Sequence, residues 1–161
     1  MHIRRGDVQP DGNGSDRRKR YTGNEWYRYR IPWVASMYPE DYTIAIHSEG
    51  EMPEFESIMD GWATSLVNRT TWKLGKYWKH DIEFDLTTAL HDMITAKVLV
   101  QSKSGFSYVA GILSEGDVFY HSGSKNGGQR YPLDHWRVMQ HSSKKDSDGI
   151  TYKEIINLYY S

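Results

Sequence analysis

Cysteine is absent from the 161 residues, which excludes disulfides and thiolate chemistry and leaves the compartment open. No apolar run approaches the length of a membrane span, and no signal peptide is expected ahead of the first motif. Charge of one sign is also lacking: 20 Lys and Arg stand against 21 Asp and Glu, so nothing marks a nucleic-acid or membrane-surface protein. The seven histidines show no ligand spacing such as H-E-x-x-H, so no metal centre is expected. No carboxylate pair can be set at the separation that sugar hydrolysis needs, and no repeat recurs at a fixed period. What remains is one domain's length of chain, rich in aromatics with 12 Tyr and 6 Trp.

The stretch from Lys97 to Leu113 organises the rest. Val98, Leu99 and Val100 form a short apolar run of the kind a doubly buried strand shows, and it stops at Ser102-Lys103-Ser104-Gly105. Phe106, Val109, Ala110 and Leu113 then recur at helical spacing. Strand, tight serine and glycine turn, helix: this order aims free N–H groups and the positive end of a helix dipole at one spot. The hydroxyls of Ser102, Ser104 and Ser107 and the Lys103 ammonium stand close to it in sequence, which suits a phosphate. The plainer alternative is an ordinary strand-to-helix turn with Ser104 as the helix N-cap.

A second anion-suited motif opens the chain. In His2-Ile3-Arg4-Arg5-Gly6-Asp7, one guanidinium can fork onto phosphate while Asp7 pairs with the other. The alternative is a solvated basic terminus, to which Arg17-Arg18-Lys19-Arg20 would contribute. Gln9 to Gly23 reads as a long polar loop. Glu25 to Met37 reads as an aromatic helix broken or kinked near Pro32, and Tyr42 to Ser48 as a strand. Pro53 starts an expected helix with Phe55, Ile58, Met59, Trp62 and Leu66 on one face. Thr70 to Leu74 reads as an edge strand, and Asp85 as the cap of a helix bearing Leu86, Ala89, Leu90, Met93 and Ile94. Strands at Asp117 to His121 and Trp136 to Met139 follow, with a closing helix at Tyr152 to Tyr160. Strands alternating with helices predict an α/β fold, a Rossmann-like parallel sheet with helices on both faces. In a doubly wound order the first and fourth strands are neighbours, and ligands bind between their carboxyl ends. Both anion-suited motifs fall there.

These residues resemble a known family. The opening motif is similar to the His-x-Arg-Arg-x-Asp motif of the α1,2- and α1,6-fucosyltransferases and protein O-fucosyltransferases, and His91 to Ser107 is similar to that superfamily's second donor-binding block. The resemblance implies the C-terminal, nucleotide-binding half of a GT-B glycosyltransferase, inverting and metal-independent, with GDP-fucose as donor substrate and a glycan or protein as acceptor. Residues 1–161 would then be a single nucleotide-sugar-binding domain lacking an N-terminal acceptor-binding half. It further implies that Arg4 contacts the donor β-phosphate, His2 helps hold the nucleotide, and Arg5 and Asp7 orient the loop. Ser104 and Gly105 would meet the diphosphate, with Phe106 and Ser107 opening the helix. Ala89 stands where the family's guanine-reading acid would be, leaving Asp85 and Asp92 as the nearest carboxylates. Asp11, Asp16 and Glu25 lie where a catalytic base could sit. The expected compartment is the secretory pathway for a eukaryotic enzyme of this kind and the cytoplasm otherwise. The rival expectation is a GDP-sugar or phosphate-binding α/β module without turnover.

Overall fold

A computed structural model describes residues 1–5, 8, 21–75, 86–122, 132–139, 149, 150 and 154. Six parallel strands form two three-stranded sheets. In the first, β1 (His2–Ile3) pairs with β2 (Ile44–Glu49), which pairs with β3 (Thr70–Gly75); in the second, β4 (Val98–Val100), β5 (Asp117–His121) and β6 (Arg137–Met139) follow in order. The sheets meet at β1 and β4, where Ser102, two residues past β4, hydrogen-bonds His2. The strands therefore stand 3-2-1 and then 4-5-6. A single sheet is expected from the sequence; two are found, because β1 supplies only two rungs and no backbone hydrogen bond joins it to β4 among the described residues.

Helices cover both faces, as the alternation of strand side chains requires. Ile3, Ile46, Val100, Phe119 and Met139 point to one side, where they pack with Trp26, Tyr27, Ile31, Trp33 and Val34 of α1 (Asn24–Ala35). Leu99, Val118 and Tyr120 point to the other, against Ala89 and Met93 of α3 (Leu86–Thr95) and Ala110 of α4 (Gly105–Leu113).

Two expected helices come out differently. The aromatic helix is unbroken at Pro32, which lies inside α1. Proline has no N–H to give to the carbonyl four residues back, that of Arg28. The indole Nε1–H of Trp62 donates to that carbonyl instead, at 2.8 Å, so the vacancy is filled from outside the helix. The helix expected from Pro53 to Leu66 is two 3₁₀ turns, Met52–Glu54 and Glu56–Ile58, and a short helix α2 (Thr64–Asn68). Gly61 at φ 78° turns the chain between them, a conformation that favours glycine. Phe55, Ile58, Trp62 and Leu66 are nonetheless all buried, as their spacing predicts. The closing helix expected from Tyr152 to Tyr160 lies outside the described residues except for Glu154.

Candidate functional site

The turn after β4 folds back on itself. Ser104 caps α4, its Oγ accepting from the Phe106 N–H at 3.2 Å. Ser107 Oγ donates to the carbonyl of Ser102 at 3.2 Å, and the Ser104 N–H to the same carbonyl at 2.8 Å. Ser102 Oγ shares a 2.8 Å hydrogen bond with His2 Nδ1 and lies 3.4 Å from Ser107 Oγ. The Phe106 ring stands edge-on to the His2 imidazole, 5.7 Å between centroids. His2, Ser102, Ser104, Gly105, Phe106 and Ser107 are thus brought together where β1 and β4 end. The hydroxyls of Ser102 and Ser107 are buried and engaged within the fold. What the turn can offer an anion is the first-turn N–H groups of α4 and the half-buried Lys103, whose ammonium is pushed down by burial.

Burial also pushes His2 down to about 3, helped by neighbouring positive charge that includes Arg4. His2 is therefore a neutral imidazole over the physiological range, suited to holding a hydrogen bond. Arg4 itself is half-buried. Arg5 is only 3% exposed and is locked in place: its guanidinium donates to the carbonyls of Arg4 and Thr22, each at 3.0 Å, and to Asn24 Oδ1. It also lies 4.6 Å from the Tyr21 ring centroid. The partner expected from sequence, Asp7, lies outside the described residues, as do Asp85, Asp11 and Asp16. Glu25 is exposed on the first turn of α1.

Sequence reasoning missed the returning end of the long loop. Asn24 binds Arg5 through its carbonyl, while its amide donates to the carbonyl of Glu54 at 2.6 Å and to Ser57 Oγ at 3.0 Å. Thr22 Oγ1 lies 3.3 Å from His121 Nε2 at the end of β5. The loop that leaves after Arg5 therefore re-enters beside the same strand ends. Its composition marks a long polar loop, but nothing in the sequence marks which residues anchor it.

Asp92 is committed elsewhere. Its Oδ2 accepts from Lys73 Nζ at 2.6 Å and lies 3.3 Å from His47 Nε2. Partial burial favours the neutral acid, but the Lys73 hydrogen bond and charge outweigh it and hold the carboxyl below its usual value. Burial takes His47 down to about 4 despite Asp92, so the contact at neutral pH joins a neutral imidazole to a carboxylate. All three side chains line a cavity of about 590 Å³ at the amino-terminal side of the strands.

Among the described residues no cluster of three or more His, Asp and Glu is placed to hold a metal ion, and no helix is long and apolar enough to cross a membrane. No family model, curated protein or solved structure matches the chain.

Proposed function

We propose that the loops at the carboxyl ends of β1 and β4 bind the diphosphate of a nucleotide sugar, and that the chain is a fucosyltransferase-like glycosyltransferase, or the donor half of one, using GDP-fucose. The observation that carries this reading is the 2.8 Å hydrogen bond between Ser102 and His2, which draws two anion-suited loops over one spot although 100 residues separate them. Arg4 then supplies the guanidinium for the β-phosphate, and the α4 N-terminus at Ser104 and Gly105 supplies N–H donors. As the fucose–phosphate bond breaks, negative charge grows on the departing GDP. Donors fixed beforehand around it stabilise that state more than the ground state. Arg5 positions the loop and does not touch the donor. The relation to a GT-B C-terminal half, and to a glycan or protein acceptor, belongs to the same proposal and rests on the motif resemblance.

A second reading is a module that binds a GDP-sugar or phosphate without turnover. The burial and neutrality of His2 favour it, because such an imidazole holds a nucleotide and does not relay protons. Titration calorimetry with GDP, GDP-fucose, UDP and inorganic phosphate, followed by fucose transfer to an acceptor panel, separates the two. GDP binding that requires Arg4, with transfer, establishes the enzyme; the same binding without transfer establishes the module. Absence of binding by GDP, GDP-fucose and inorganic phosphate overturns both.

A further inference from the structure

The ladder between β1 and β2 stops before the arginines. Its last rung is Ile3↔Ser48, so the main chain of Arg4 and Arg5 runs on beyond the strand pairing. What holds it there is a side chain. Nη1 of the Arg5 guanidinium donates to two carbonyls, those of Arg4 and Thr22, each at 3.0 Å. The backbone of Arg4 is thereby tied to the returning end of the loop. Thr22 is tied in turn to β5, with its hydroxyl 3.3 Å from His121 Nε2.

His121 is a firm anchor. It closes β5 opposite Met139 of β6, and the next residue, Ser122, donates through both its N–H and its hydroxyl to the Met139 carbonyl at 3.0 Å. Side chains alternate along a strand, so His121 shares the face of Phe119 and lies under α1, its ring centroid 4.2 Å from that of Trp26. Its Nδ1 stands 3.0 Å from the Ser122 carbonyl, which only accepts. The proton of the neutral ring is therefore assigned to Nδ1, and Nε2 offers its lone pair to the Thr22 hydroxyl. Both residues are 1% exposed, so water does not compete for that bond.

We infer that His121 is a positioning residue for Arg4: acting through Thr22 and Arg5, it fixes the backbone from which the Arg4 guanidinium reaches a phosphate. The inference rests on the phosphate-binding role proposed for Arg4. Two anchors hold the returning loop, Asn24 to the Glu54 turn and Thr22 to His121. Only the second belongs to the sheet of β4, β5 and β6, from which α4 and its first-turn N–H groups spring. Arg4 follows the other sheet. Two donors on separate sheets can grip one diphosphate only if their spacing is set beforehand, and the chain from His121 to the Arg4 carbonyl sets it.

The test uses the full chain. Imidazole nitrogen shifts should show His121 protonated on Nδ1, and the guanidinium N–H signals of Arg5 should be separate, because fixed acceptors stop the group from rotating. His121→Phe keeps a ring against Trp26 and removes the acceptor. It should merge the Arg5 signals and weaken GDP binding in calorimetry about fivefold or more. His121→Gln, whose amide oxygen reaches about as far as Nε2, should restore most of that affinity. Thr22→Val removes the same bond from the other side and serves where His121→Phe does not fold. The inference is overturned if the His121 proton sits on Nε2, if the variant lacking the acceptor binds GDP like the parent, or if His121→Gln binds no better than His121→Phe. Should the parent chain bind no GDP, the phosphate reading falls by itself. Unaltered Arg5 signals in the variants would then overturn the positioning too, and merged signals would sustain it.

Discussion

One seam runs through this molecule and its two ends differ. At the carboxyl ends of the strands, β1 and β4 are held together by side chains: His2 to Ser102, Arg5 to the returning loop, Asn24 to the Glu54 turn. At the amino ends β2 and β4 border a cavity, where Asp92 of α3 reaches His47 of β2 and Lys73 of β3. Parallel sheets tie neighbours through evenly spaced backbone bonds, and β1 is too short to do so. Side chains do that work at one end, and at the other the main chain of Met1 ties β1 to β2, its amino group donating to the Ala45 carbonyl at 2.6 Å and its carbonyl accepting from the His47 N–H at 2.8 Å. A polar stitch can be opened by a ligand that offers better partners.

That contrast can be broken from the closed end first. Arg5→Ala should lower folding stability by about 3 kcal/mol in urea melts, since it leaves the Thr22 carbonyl and Asn24 without their buried donor. On the proposed function, Arg4→Ala should cost about 2–4 kcal/mol in donor binding or transfer, read by calorimetry or kcat/KM with GDP-fucose, while Arg5→Ala acts through stability. Full donor binding by Arg4→Ala would end that assignment. Ser102→Ala should cost about 1–2 kcal/mol of stability, because His2 Nδ1 loses its partner while buried.

Acid sharpens the comparison. His2 is held down to about 3 and His47 to about 4, both below the usual imidazole value of 6.5. The unfolded chain therefore takes up protons that the folded one refuses. The imidazoles' share of stability is intact above pH 6.5 and should fall between 6.5 and 4 by about 1.4 kcal/mol per pH unit for each, on top of an earlier decline from pH 8 as the buried Met1 amino group, pushed down to about 5, stays neutral only in the fold; both read as a drop in the urea midpoint. His2→Asn should flatten part of that slope. Smallest of all, Ala35→Leu at the open end should change stability by less than about 1 kcal/mol, because it enters existing space.

Much of this was legible in the sequence. The run Val98–Val100 and the serine turn predict a strand and a capped helix, and both are found with Ser104 as cap. Phe55, Ile58, Trp62 and Leu66 were recognisable as core from spacing alone, although the chain reaches those places through 3₁₀ turns rather than one helix. Periodicity reports which side chains are buried, and a bend at Gly61 does not disturb that. The meeting of His2 and Ser102 followed from strand order. Arg5's true partners did not, because backbone carbonyls carry no sequence signature. The break between the sheets was equally hidden, since it depends on how few residues of β1 are available to pair.

Pro32 has a consequence beyond α1. By withholding one amide hydrogen it turns the Arg28 carbonyl into a socket on the flank of a helix, and Trp62 is the plug. An ordinary residue there would bring a second donor to the same oxygen, dividing its two lone pairs between the helix and the indole and weakening the hold on the β2-to-β3 crossover. A residue usually counted as a helix breaker here acts as an address, telling a distant stretch of chain where to settle.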